Sequence, residues 1–310
     1  AAYRYIIDQS AKNLGGFLQS DWAVTPNLTL LTGLRIDGHN LVDRVILSPR
    51  VSMLYKLREF TQLRATWGQG FRAPQAFDTD LHIAFAGGGV SRISLAPDLR
   101  EERSNSFSAS INYDRPTENF IAGFTLEGFY TRLEDAFFLQ PTGEDAFGER
   151  FEKRNGPGAV VQGATLELRA NYNRQAQLEA GFTVQRSRFD EPVANIDELE
   201  SRREFLRTPN EYGYWTLSYT PNPRFAAAFS GVYTGPMLLV HFGGAPEQAV
   251  DAYKTSPGFT ELNLRLSYTF SFPSLPSGWE LFGGVKNLTN AYQNDFDTGK
   301  NRDSNYVYGP

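Results

Sequence analysis

The feature that most constrains this chain is the strict two-residue alternation of Phe259–Phe272. Leu262, Leu264, Leu266, Tyr268, Phe270 and Phe272 fall on one side, and Glu261, Asn263, Arg265, Ser267, Thr269 and Ser271 on the other. Successive side chains of a strand point to opposite faces, so the segment has one apolar and one polar face. A surface helix repeats its apolar residues about every 3.6 positions, which this stretch does not do. Ordinary strands run about 5–6 residues, whereas a tilted strand crossing a bilayer needs about 9–11. The aromatics gather at the end that meets Pro273, as an interfacial girdle requires.

The same design recurs along the chain. Leu28–Asp37, Pro49–Leu57, Leu63–Phe71, Asn105–Tyr113, Phe120–Thr131, Ala164–Tyr172, Leu178–Gln185, Trp215–Tyr219, Phe225–Tyr233 and Trp279–Val285 all alternate, and Leu14–Val24 does so less regularly. About twelve strands are predicted. Their connections alternate between short turns (Thr25–Asn27, Arg58–Phe60, Asn173–Gln175, Thr220–Pro223, Pro273–Gly278) and longer loops (Asp37–Asp43, Arg72–Glu102, Glu134–Pro157, Asp190–Arg207, Gly235–Pro257). Antiparallel hairpins with tight turns on one rim and long loops on the other give this rhythm, which a soluble sandwich has less reason to show.

Composition agrees. The 310 residues carry a net charge of −5, so there is no global basic field for nucleic acid. Cys is absent, which removes disulfides, thiolate metal sites and cysteine nucleophiles. Mean hydropathy is −0.40 and no run approaches the roughly 18 apolar residues of a membrane helix. A membrane barrel still gives that mean, because half of each strand faces a polar lumen. Neither a signal peptide at Ala1–Ile7 nor a second domain is evident, so residues 1–310 read as one all-β domain.

Phe71-Arg72-Ala73-Pro74, closing a strand and opening a long loop, resembles the FRAP box of TonB-dependent outer-membrane receptors. Gly284-Val285-Lys286-Asn287-Leu288-Thr289-Asn290 resembles the G-V-x-N-L-T-[DN] segment near the end of the same barrels. Leu126-Glu127-Gly128-Phe129-Tyr130, followed by Asp135, is similar to the family's mid-barrel strand. The resemblance covers essentially the whole chain. It implies a transmembrane antiparallel β-barrel, with these residues forming about twelve of about 22 strands. The plug domain, the TonB box and the final strand lie outside the sequence. The implied role is transport across the bacterial outer membrane. The implied partners are a siderophore-like nutrient, the N-terminal plug, a TonB-type energy-transducing protein and the lipid bilayer. Iron–siderophore is the first cargo implied, with haem, cobalamin and oligosaccharide open. No cofactor and no enzymatic role are implied. The rival classes are an outer-membrane enzyme or adhesin barrel and a soluble carbohydrate-binding domain.

Recognition on a rigid scaffold usually falls to loops. The largest, Arg72–Glu102, offers Phe77, His82, Phe85 and Arg92 as ligand-binding candidates, with Gly87–Gly89 as a hinge. Glu134–Pro157 and Gly235–Pro257 are the next candidates. His39, His82 and His241 all fall in predicted loops, as metal or haem ligands or as solvated side chains. Ala96-Pro97-Asp98-Leu99, beyond His82, resembles the NPNL box of haem receptors without its first Asn. Glu101-Glu102 and Glu134-Asp135 are general acid–base pairs or, on the bland reading, solvated rim charges. The lumenal row Arg35, Arg50, Arg64 and Arg169 attracts an anion or pairs with a plug. Leu168, Phe182, Leu264 and Leu266 are expected to face lipid. Two unpaired edge strands are expected to leave the isolated chain without a stable monomeric barrel.

Overall fold

The computed structural model describes residues 10–75, 92–145, 148–195, 199–271, 278–299, 302–303 and 306–309, with only the backbone at 92, 144–145 and 148–149. Among them are eighteen strands and no helix. Twelve long strands follow one another in a single antiparallel meander: β1 (Asn13–Thr25), β2 (Leu28–His39), β3 (Ile46–Arg58), β4 (Thr61–Arg72), β6 (Glu102–Pro116), β7 (Phe120–Glu134), β10 (Ala159–Tyr172), β11 (Ala176–Val193), β13 (Glu211–Asn222), β14 (Phe225–Thr234), β17 (Phe259–Ser271) and β18 (Gly278–Val285). These are the twelve strands that the alternation marks. The turn expected at Pro273–Gly278 lies almost wholly outside the described residues. No hydrogen bond joins β1 to β18 among the described residues, so the sheet is open and both edges are exposed along their length.

Side chains sort as the period of two requires. One face carries rows of cross-strand neighbours such as Val51–Trp67–Phe107–Tyr130, in continuous register over four strands. The row continues through Gln162 of β10 to Arg186 of β11. At the other end of the same face, Phe120 and Tyr172 stand opposite each other. Ten residues of β10 separate Gln162 from Tyr172, about 23 Å of height at ~3.3 Å per residue and a tilt of ~45°. That matches the apolar band of a membrane barrel, about 25 Å tall between aromatic girdles. Leu166, Leu168, Phe182 and Leu266 lie exposed on this face.

The opposite face is polar and bonded across strands. Ser52 meets Thr66 at 3.0 Å, Ser106 meets Thr131 at 3.0 Å and Thr165 meets Thr183 at 2.9 Å. Of the lumenal arginines, Arg35 grips Asp37 with two bonds of 2.7 Å, and Arg169 grips Asp114 at 2.9 and 3.2 Å. Arg50 and Arg64 make no ion pair among the described residues.

Close strand packing explains two glycines. A Cβ on Gly231 would sit 2.3 Å from the Trp215 ring, and one on Gly213 would sit 2.8 Å from the Phe182 ring. A ring laid over a neighbouring strand's glycine fills the missing side chain and pins register.

All the short connections lie at one end of the meander and all the long ones at the other. The long ones are not bare loops. They carry β5 (Arg92–Leu95), β8 (Phe137–Asp145), β9 (Gly148–Asn155), β12 (Arg202–Glu204), β15 (Leu238–His241) and β16 (Ala252–Thr255). β5, β9 and β8 form a three-stranded sheet, β15 and β16 a two-stranded one, and β12 pairs with β11.

Two expectations are corrected here. His39 ends β2 and His241 ends β15, and both are buried, so neither is a loop residue. Their segments are too short or too irregular for alternation to identify. Glu101 is not a solvated rim charge. It is 3% exposed, bonded by Arg44 at 2.6 Å and Arg103 at 3.1 Å. Arg44 comes from the β2–β3 connection, so only tertiary proximity supplies that partner.

Candidate functional site

The long-loop rim encloses a cleft of about 470 Å³. Six aromatic rings line it: Phe137 and Phe138 of β8, Phe151 of β9, Phe189 of β11, Phe205 after β12, and Phe242 after β15. Leu133, Leu139, Leu206 and Val240 fill between the rings, and Arg72, Glu102, Asn195 and Arg207 supply polar groups.

Local sequence explains how each side chain arrives. The Phe71-Arg72-Ala73-Pro74 box ends β4, because Pro74 has no N–H for the ladder. That places Arg72 at the rim, where its guanidinium lies 4.7 Å from the Phe137 ring centre and 3.1 Å from a Glu102 oxygen. Glu102 also accepts the Phe137 backbone N–H at 2.9 Å, which fixes that ring against the cation. Lys153, only 1% exposed, places its ammonium 5.1 Å from the same ring and donates to the Gln75 carbonyl at 3.2 Å. Cations over aromatic faces are attracted by the ring quadrupole. Phe189 and Phe205 pack with centroids 4.5 Å apart.

Arg207 also lines the cleft, in a left-handed conformation with φ of 53°. Burial lowers its pKa, and Asp303 opposes the shift. An arginine stays charged through such a shift, so a half-sheltered cation borders the apolar cleft. It donates to the Val307 carbonyl at 2.6 Å. Burial works against ionisation of Glu101, but its own backbone N–H and the Arg44 and Arg103 guanidinia outweigh that and hold it below the usual carboxylate range.

The residues after β18 reach back over this rim. Asn287 turns the chain with φ of 51°, a left-handed conformation Asn tolerates. Its side chain accepts the Ala291 N–H at 2.9 Å and donates to the Ala291 carbonyl at 2.8 Å. Thr289 donates to the Thr260 carbonyl of β17. This is the physical role of the Gly284–Asn290 motif. Beyond it, burial and then bonds to Asp295 push the Tyr306 phenol above its usual range and the Tyr308 phenol up to about 12.

Of the four sequence candidates, Phe77, His82 and Phe85 lie outside the described residues, as does Gly87–Gly89. Arg92 opens β5 in register with Arg150, and β5 contributes nothing to the described lining of the cleft. From the Arg72–Glu102 stretch the cleft takes its two ends. The other lining residues come from Glu134–Pro157 and Gly235–Pro257, and from the 190–207 connection and strand ends, and none of these lining residues was a named candidate. A run such as Phe137-Phe138-Leu139 in an acidic loop was the available signal. Among the described residues no group of His, Asp and Glu is arranged to hold a metal. Ala96–Leu99 forms a turn bonded to the Lys153 carbonyl.

Comparison with solved structures gives the fold independently. The siderophore receptor PirA from Acinetobacter baumannii superposes with a TM-score of 0.67 at 16% identity, over 97% of this chain and 44% of that one. The ferric enterobactin receptor PfeA from Pseudomonas aeruginosa gives 0.64 at 17% identity, over 96% and 43%. The ferric-catecholate import receptor Fiu from Escherichia coli gives 0.63 at 14%, over 91% and 41%. The chain thus spans less than half the length of these structural relatives. Curated proteins offer no match. The family profile described as TonB dependent receptor-like, beta-barrel, matches residues 2–288, and this family is one of outer-membrane transport receptors rather than enzymes. The open, two-faced antiparallel meander, its sorted rims and that match together show that the chain belongs to the TonB-dependent receptor β-barrel family.

Proposed function

We propose that this chain is part of the barrel of a bacterial outer-membrane receptor that takes up a ferric siderophore by TonB-dependent transport. The observation that carries the reading is the rim cleft, with six phenylalanine rings bordered by the Arg72 and Arg207 guanidinia. An iron chelate built on aromatic groups presents flat apolar faces and anionic oxygens. The rings bury the first, and guanidinia bind the second with charge-assisted hydrogen bonds. Structural neighbours described as siderophore, ferric enterobactin and ferric-catecholate receptors support the same class. In this reading the long-loop rim faces outward. A plug domain fills the lumen, where Arg50 and Arg64 offer it charge. A TonB-type protein acts through that plug, and the apolar outer face meets lipid. His39 and His241 lie outside the cleft lining, so the described residues offer no imidazole to a haem iron there.

The test is binding by the complete receptor to ferric enterobactin, a ferric hydroxamate, haem and cobalamin, measured by fluorescence quenching. A ferric siderophore is expected to bind. Arg72→Ala and Arg207→Ala are each expected to weaken it roughly 10- to 100-fold, the weight of a hydrogen bond to a charged group. Binding of haem or cobalamin alone, or unchanged affinity in both variants, refutes the proposal.

A further inference from the structure

The two faces of β15 do different work. Leu238 and Val240 are partly exposed, and Val240 lines the cleft. Leu239 and His241 point the other way and are buried. The strand is only four residues long and pairs only with β16 among the described strands. Ladder bonds on one edge of so short a strand hold it weakly.

The Arg207 backbone N–H, 2.8 Å from the Leu238 carbonyl, holds one end of it, and the segment that follows β18 holds the other. The His241 ring lies flat on Tyr306, with centroids 3.6 Å apart and planes 2° apart. Its Nε2 stands 2.9 Å from both oxygens of Asp297. A carboxylate only accepts, so Nε2 carries the proton. Asp297 in turn accepts the Asp303 backbone N–H at 2.9 Å, and Asp303 accepts the N–H of Phe242, a cleft residue, at 2.9 Å. Arg207, on the cleft as well, donates to the Val307 carbonyl. Three cleft residues (Val240 through its strand, Phe242 and Arg207) are therefore tied to one distant stretch of chain. Among the described residues His241 Nδ1 is buried without a hydrogen-bond partner, so this imidazole makes its contacts through Nε2 and the ring face.

We propose that His241, Asp297, Asp303 and Tyr306 form a clasp that fixes β15, and that they act as positioning residues for the cleft's ligand without touching it. The proposal rests on the cleft being the ligand site. By linkage, whatever steadies the cleft favours binding, and a ligand in the cleft steadies the clasp.

The test uses the complete receptor in lipid nanodiscs, with two readouts. Hydrogen exchange reports the Val240 and Phe242 amides without ligand, and fluorescence quenching reports the affinity for ferric enterobactin. His241→Phe keeps an aromatic face toward Tyr306 but loses the donor to Asp297. It should speed exchange at both amides and weaken binding roughly tenfold, with exchange in β10 and β11 unchanged. His241→Gln keeps a donor toward Asp297 and should restore most of both. Tyr306→Ala, which removes the stacking partner, is the second perturbation should His241→Phe fail to fold. Wild-type exchange at Val240 and Phe242 in His241→Phe overturns the clasp. Faster exchange with unchanged affinity overturns the positioning role. Should the wild-type receptor bind only the ferric hydroxamate, that chelate replaces ferric enterobactin as the probe; should it bind neither, the functional reading fails, and the exchange data still decide the clasp.

Discussion

Leu166→Arg tests the membrane reading at its most sensitive point. Leu166 lies on the apolar face of β10, 41% exposed, four residues from the Gln162–Tyr130 row and six from Tyr172. At ~2.3 Å of height per tilted residue this is within about 3 Å of the band's midplane. Arginine at the midplane of a barrel's lipid face costs about 2–4 kcal/mol. That is roughly a 30- to 1000-fold loss in the folding equilibrium. Thr165→Arg is the paired control, one residue away on the polar face. It gives up the bond to Thr183, about 1 kcal/mol, and brings a cation opposite Glu127 in register. The assay is urea unfolding of the complete receptor in lipid vesicles, with both variants compared with wild type. Leu166→Arg should be the less stable of the two by at least about 1 kcal/mol. Equal stabilities would mean that both faces meet water, and the membrane-spanning assignment of this sheet would fall.

Gly231→Ala places a methyl where the Trp215 ring lies, 2.3 Å from its Nε1, and the ring must leave. A cost of about 1–3 kcal/mol is expected, together with a shift in tryptophan emission, and an unchanged spectrum would refute the packing. Glu101 has a folded pKa below its ordinary 4.5, so its bonds to Arg44 and Arg103 stabilise the rim above that pH and fade as pH falls through the lower, folded value. The protection factor of the Arg103 amide, with the intrinsic pH dependence of exchange divided out, should therefore fall on acidification below about 4.5 in the wild type and stay flat in Glu101→Gln. The cleft arginines and the clasp add the binding and exchange outcomes given above.

Much of the scaffold was legible because a membrane strand writes its environment into every second residue. Lipid on one side and a polar lumen on the other leave the alternation of Leu166, Leu168 and Ala170 against Thr165, Glu167 and Arg169, so strands, faces and the sorting of turns could be read directly. The order of the meander followed, since short turns allow only antiparallel neighbours. The rim was not legible in the same way. β5, β8, β9, β15 and β16 face neither lipid nor lumen in a regular rhythm, and their partners are far apart in sequence. Val240 lines the cleft while His241 turns toward Asp297, 56 positions on, and Arg44 reaches Glu101 across 57. Local pattern carries no term for such contacts. What the sequence alone determined is the two-sided solvent each long strand must satisfy. What only the tertiary structure decided is which distant loops meet above them, because that depends on packing of short, buried segments whose only instruction is the shape of their partners.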